Sequence, residues 1–217
     1  MDAKRALDLI IKGHVSTIDC CKANDRVFFC TCGVGFDAAV SQKFAEEKRR
    51  GSLTYIKNTV AEYLSYKPEP YELLVDNQTI KEKAFLVACA NASQYGNNAF
   101  IAPHANIQDG RMDLTILSPF TPLDIAPLAI QLFTKQIDRN SKIKTMKAQQ
   151  VTIIRQNPGV MHLDGEPVMA DSRIDISIMP QSLHVVTPEV VSFTEEVHNL
   201  FGEVTRFFDK KLPYIFR

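Results

Sequence analysis

A mainly β fold of the α+β kind, a β-sandwich with a few peripheral helices and a C-terminal amphipathic helix, follows from three features of the sequence. Short apolar runs separated by turn residues fill most of residues 70–187. Residues 174–178 alternate Ile-Asp-Ile-Ser-Ile, the pattern of a strand with one face in the core. Helical periodicity is confined to a few segments, the longest of them in the tail.

Taken in order, Asp2 can cap a helix whose apolar face carries Leu7, Ile10 and Ile11, with Gly13 to end it. A domain cut, or an interdomain crossover, would fall there. Residues 15–20 and 26–32 read as two strands joined by Lys22-Ala23-Asn24-Asp25. Phe36, Val40 and Phe44 recur at every fourth position, so a helix follows, and after it residues 46–50 are all charged. Ser52 can cap a further helix carrying Leu53, Ile56, Val60 and Leu64, which Pro68 and Pro70 end. Residues 71–75 and 79–82 form a hairpin candidate around Asp76-Asn77-Gln78. Strands are expected at 85–90, 114–117, 151–155, 160–163, 174–178 and 183–186, with a helix across 122–138. In the tail, Phe193, Val197, Leu200, Phe201, Val204, Phe207 and Phe208 follow helical spacing. Its polar face is not basic, so docking on a domain or subunit is favoured over a membrane surface. The domain reading is 1–190 for the sandwich and 191–217 for the docking helix.

Lys+Arg and Asp+Glu balance at 25 each, which argues against broad binding to nucleic acid. The five cysteines, at 20, 21, 30, 32 and 89, show no Cys-x-x-Cys spacing and read as buried reduced thiols in preference to a zinc site. A cytoplasmic protein is expected, since residues 1–12 mix charged and apolar groups unlike a secretory leader.

Three segments can carry chemistry. Gly33-Val34-Gly35-Phe36-Asp37-Ala38 is a strand-to-helix turn, where glycines allow close backbone approach and a helix start favours an anion. Ile101 to Arg111 contains Asp109-Gly110, a turn able to aim a carboxylate and nearby carbonyls at a hard cation. His162-Leu163-Asp164-Gly165-Glu166-Pro167 sets two carboxylates about one glycine, so one can organise a hydrogen bond or cation while the other accepts a proton. Each, taken alone, reads more readily as a plain turn. No Gly-x-x-x-x-Gly-Lys-Ser/Thr loop, dinucleotide fingerprint or serine-hydrolase pattern is present.

In this order and spacing the segments resemble the C-terminal domain of the diacylglycerol kinase and sphingosine kinase-like family of lipid kinases, over roughly residues 15–187. Gly35-Phe36-Asp37-Ala38, Asn91 to Gly96 with Ile101-Ala102-Pro103, Asp109-Gly110 and Leu163-Asp164-Gly165-Glu166 carry the resemblance. It implies a β-sandwich closing on an N-terminal nucleotide-binding domain, with ATP as co-substrate and Mg2+ as cofactor. It further implies Glu166 as the general base toward a lipid hydroxyl and Asp164 as support for that loop. Asp109, with Asn106 and Arg111 adding carbonyls, would hold magnesium. Asp37, Phe36, Val40 and Phe44 would border the lipid entrance.

The family's glycine-rich nucleotide motif does not occur in these residues, and Gly96-Asn97-Asn98 stands where the family often has consecutive glycines. The expectation is therefore a substrate-side domain, inactive alone. The alternatives are a non-catalytic lipid-binding or regulatory module and an unrelated β-sandwich interaction protein. Expected partners are the lipid substrate and the nucleotide-binding domain. A second copy of the chain and peripheral contact with the inner membrane face complete that set.

Overall fold

The computed structural model describes residues 3–46 and 66–188. The expected helix over 52–64 and the docking helix of 191–217 lie outside the described residues. Residues 17–184 form one compact unit, and residues 1–16 with the chain from 185 onward belong to another.

In the smaller unit, α1 (Ala3–Lys12) ends where Gly13 turns into the left-handed region at φ 68° and its N–H reaches the Leu9 carbonyl at 3.2 Å. Leu7, Ile10 and Ile11 are exposed on it.

The strands are β1 (Val15–Ala23), β2 (Arg26–Phe28), β3 (Thr31–Gly35), β4 (Glu69–Val75), β5 (Gln78–Ala84) and β6 (Leu86–Ala90). They continue through β7 (Met112–Leu117), β8 (Ile143–Ala148), β9 (Gln150–Arg155), β10 (Gly159–Leu163), β11 (Glu166–Ala170) and β12 (Arg173–Val186). Two six-stranded sheets result, in the orders β2-β1-β12-β9-β4-β5 and β11-β10-β3-β6-β7-β8. The first gives Leu73, Val151, Ile153, Ile174 and Ile176 to the core, and the second gives Val34, Val87, Met112, Leu114 and Ile116. The mainly β sandwich expected from the sequence is the observed fold.

The second sheet also has a covered outer face. Leu86, Ala88 and Ala90 of β6 pack there with Ile101, Leu117 and Leu128, while Val87 and Cys89 point to the sandwich core. Burial on both faces is why Leu86–Ala90 reads as a continuous apolar run rather than an alternation. Leu128 comes from α3 (Ile125–Phe133), which a 3-10 turn at Pro122–Asp124 precedes and another at Ile137–Arg139 follows. The single helix expected across 122–138 is thus three shorter pieces. α2 (Phe36–Glu46) is the helix expected there, and it buries Ala38 and Val40.

Other boundaries differ for physical reasons. The run 26–32 is two strands, because the chain leaves the first sheet after Phe28 and enters the second at Thr31. The expected strands 174–178 and 183–186 are one, β12, kinked at Gln181, whose φ is 48°. β8 and β11 were not expected; they are the two edges of the second sheet, and edges tolerate Lys and Pro.

Candidate active site

The β10–β11 hairpin places the Leu163–Glu166 segment. Leu163 pairs with Glu166, so Asp164 and Gly165 alone make the turn, both left-handed at φ 51° and 86°. That is the geometry matching the twist of the strands it joins. The Asp164 side chain turns back onto the crossing between the sheets. Its Oδ2 accepts the Phe29 N–H at 2.8 Å, and its Oδ1 accepts those of Cys30 and Thr31 at 2.7 and 3.0 Å. The Asp164 N–H is donated to the Thr31 carbonyl at 2.7 Å. A carboxylate receiving three backbone donors is a structural clasp, and it satisfies the groups that no ladder reaches where the chain changes sheet.

At its base the same hairpin is gripped by Arg155 of β9, whose residue is only 7% exposed. Its guanidinium donates to the carbonyls of Val160, Gly159 and Ala170 at 2.9, 2.7 and 2.9 Å. Burial pulls the guanidinium below its ordinary range, yet an arginine so placed stays charged.

Asp37 stands in the first turn of α2, and its carboxylate is committed internally. Oδ2 accepts from the Tyr95 hydroxyl at 2.9 Å and from His162 Nε2 at 3.1 Å, and Oδ1 accepts the Ala38 N–H at 2.8 Å. The side chains of His162 and Asp37 are 2% and 9% exposed. Gly33 makes room for the pair: a Cβ there would stand 2.7 Å from His162 Nε2 and closer still to the Asp37 carboxylate. Tyr95 is delivered by the next loop. Asn97 and Asn98 both take left-handed backbone, φ 48° and 63°, and Ala99 N–H closes on the Gly96 carbonyl at 2.9 Å. Asparagine tolerates that conformation, so the pair serves where consecutive glycines would.

Phe36 is half-buried, stacked 4.5 Å from Phe85 and edge-on to Tyr66 at 5.9 Å. Phe44 is half-buried, whereas Val40 is 3% exposed and belongs to the packing of α2. Glu166, the first residue of β11, is exposed, and among the described residues its carboxylate has no hydrogen-bond or ion-pair partner.

Asp109 lies apart from this group. The buried Asp19 holds its turn, accepting Gly110 N–H and Gln181 N–H, each at 2.8 Å. Asp109 Oδ1 accepts the Arg111 N–H at 3.0 Å, and its Oδ2 faces Lys147 Nζ at 2.5 Å. Lys147, on β8, also meets Asp113 Oδ2 at 3.3 Å. β8 is four strands from β10, about 19 Å at ordinary strand spacing.

The Asp109 carboxylate, expected to hold magnesium with the Asn106 and Arg111 carbonyls, is paired with Lys147 in this arrangement. Asp109 is the only carboxylate among Asp109, Asn106 and Arg111, and an ammonium already neutralises it. Of the expected carbonyls, that of Asn106 accepts the Asp109 N–H at 3.4 Å. A dication needs several free oxygens and would lie beside the Lys147 charge. Among the described residues no group of three or more His, Cys, Asp or Glu side chains gathers as a metal site.

The sequence reading gave no role to His162, Tyr95, Asp19 or Arg155. Only His162 carried a signal, an imidazole inside a strand run two residues before the Asp-Gly turn.

Comparison with known proteins agrees with this architecture. Residues 30–187 match the YegS C-terminal NAD kinase beta sandwich-like domain. A "Probable lipid kinase YegS-like" protein of Shewanella frigidimarina is 27% identical over 184 residues, covering 84% of this chain and 59% of that protein. A Mycobacterium tuberculosis "Diacylglycerol kinase" is 26% identical over 197 residues, covering 85% and 62%. The chain thus spans about three fifths of the length of the curated relatives it matches. A crystal structure of a diacylglycerol kinase from Bacillus anthracis shares the fold with a TM-score of 0.58 at 19% identity, covering 86% of this chain and 59% of that one. Sandwich, hairpin and family match together assign the chain: it belongs to the YegS C-terminal NAD kinase beta sandwich-like domain family.

Proposed function

We propose that this chain is the substrate side of an ATP-dependent lipid kinase that phosphorylates a hydroxyl of diacylglycerol or a long-chain base. One observation carries the reading. Of the carboxylates gathered at the β10–β11 hairpin, Asp37 and Asp164 are committed to internal hydrogen bonds, and Glu166 alone is exposed and unpartnered among the described residues. A general base must have a free carboxylate oxygen within reach of the proton it takes.

In this reading the lipid hydroxyl oxygen attacks the γ-phosphorus as its proton passes to Glu166. The bond from that phosphorus to the bridging oxygen breaks, and ADP leaves. ATP and its accompanying magnesium are bound by a nucleotide-binding domain of the kind the longer relatives have room for. Asp164 acts by holding the turn, and Asp37 by ordering the start of α2. Phe36 and Phe44, both half-buried, border the lipid entrance, with Val40 packing α2 beneath them. The lipid approaches with its membrane, so the protein works at the inner membrane face.

The test joins this chain to the nucleotide-binding domain of a YegS-like relative. Glu166→Gln should lower lipid phosphorylation by about a thousandfold while ATP affinity stays within twofold. Retained turnover would reject the base assignment. The purified 217-residue chain by itself should turn over no ATP, and robust activity from it would sink the substrate-side reading.

A further inference from the structure

The turn that presents Glu166 is tied to the buried Asp37–His162 pair. His162 uses both ring nitrogens: Nε2 lies 3.1 Å from Asp37 Oδ2, and Nδ1 lies 3.4 Å from the Gly165 N–H. A carboxylate can only accept and a backbone N–H can only donate. The ring is therefore neutral at Nδ1 and carries its proton on Nε2. Tyr95 holds the other side of this arrangement, donating to the same Asp37 oxygen and placing its ring edge-on to the imidazole, centroids 5.9 Å apart. The chain of contacts runs from the start of α2, through the core, to the peptide that joins Gly165 to Glu166.

We propose that His162 is the positioning residue of the catalytic turn, its Nδ1 fixing the Gly165–Glu166 peptide while Asp37 and Tyr95 fix its ring. The inference rests on the reading of Glu166 as the general base. A two-residue turn has one peptide on the Glu166 side, and its rotation would swing the Glu166 backbone and side chain together. A hydrogen bond from Gly165 to a buried, doubly anchored ring removes that freedom. The interior behind the turn then sets the direction of an exposed carboxylate. Asp164 does the same from the other side of the turn through Thr31.

Two near-isosteric substitutions separate the halves of the imidazole. In His162→Asn the side-chain oxygen reaches the place of Nδ1 but nothing reaches Asp37. In His162→Gln a donor reaches toward Asp37 but Nδ1 has no counterpart. Hydrogen exchange at the Gly165 amide, followed by NMR on the 217-residue chain, should remain protected in His162→Asn. It should quicken by about tenfold or more in His162→Gln at equal global stability. In the two-domain fusion, His162→Gln should lower kcat by about tenfold to a hundredfold, as for other supporting residues, with lipid KM nearly unchanged.

Gly165 protection surviving in His162→Gln overturns the positioning role. So does a kcat loss that is equal in the two variants and tracks their stability. Full activity of Glu166→Gln with Gly165 protection still lost in His162→Gln overturns the base assignment alone.

Discussion

Gly33 and His162 face each other across adjacent strands of the second sheet so closely that a Cβ on residue 33 would stand 2.7 Å from His162 Nε2. Neither partner can retreat, since the imidazole and the Asp37 carboxylate beside it are both buried and hydrogen-bonded. Gly33→Ala should therefore destabilise by about 1–3 kcal/mol through overpacking. Urea unfolding measures this through the midpoint, and a midpoint equal to that of the unsubstituted protein would contradict the close approach.

Asp164 holds the crossing between the sheets by its charge as well as by its shape. Asp164→Asn keeps the shape but leaves one neutral acceptor oxygen, and an NH2 that cannot accept, where the donors of Phe29, Cys30 and Thr31 converge. A loss of about 2 kcal/mol is expected, the scale of charge-assisted bonds at a partly exposed site. Asp164→Ala should cost more, and the order of the two in thermal unfolding checks the assignment.

Cys30 is the only exposed thiol of the five. Burial, and then the Asp164 carboxylate, push it above the usual thiol range, so its alkylation at neutral pH should be slow. N-ethylmaleimide should label one cysteine in the folded protein, and Cys30→Ser should remove that label. Asp164→Asn takes away a negative charge next to the sulfur and should quicken the reaction. Labelling at Cys32 or Cys89 in the native state would contradict the packing.

Lys147 serves Asp109 and Asp113 together, and it is the register partner of Asp113 across β7 and β8. Burial raises the Asp113 carboxyl while Lys147 opposes the rise. In Lys147→Met that opposition is lost and the folded-state value climbs further. A raised carboxyl makes the folded state hold its proton more tightly than the unfolded chain does. Its stabilisation is therefore full below the unfolded value of 3.8 and disappears as pH rises through the folded value. The variant should accordingly be weakened by about 1–2 kcal/mol at pH 7, discounted for the partial exposure of Lys147, and by less at pH 5. Urea titrations at the two pH values decide this, and an equal deficit at both would overturn it.

Local chemistry was readable from the sequence wherever one residue's neighbours along the chain set its environment. The helix that Gly13 ends, the Phe36 helix and the alternation at 174–178 are of that kind. What escaped reading depends on partners far along the chain. Nothing in Arg-Val-Phe-Phe-Cys-Thr-Cys marks a change of sheet, because the donors freed at the break are satisfied by a side chain near residue 164. The edge strands β8 and β11 escaped because a half-exposed strand carries lysines or a proline in place of an apolar alternation. The four carboxylates singled out in the sequence divide in space. Asp164 and Glu166 belong to the hairpin that His162 ties to Asp37 of α2, while Asp109 pairs with Lys147 in a turn held by Asp19.

The Asp164 clasp also has a bearing on the order of events during synthesis. Its bonds to Phe29, Cys30 and Thr31 span 135, 134 and 133 positions. The crossing that leads from one sheet to the other cannot be secured while the ribosome is still adding the intervening strands. Contacts of such separation slow folding, since the loop they close must be ordered before it is rewarded. Asn91 can hold the Phe29 and Cys30 carbonyls earlier, but until residue 164 emerges the N–H groups of that junction lack their acceptor, and a nascent chain stalled short of it should expose the junction to proteases.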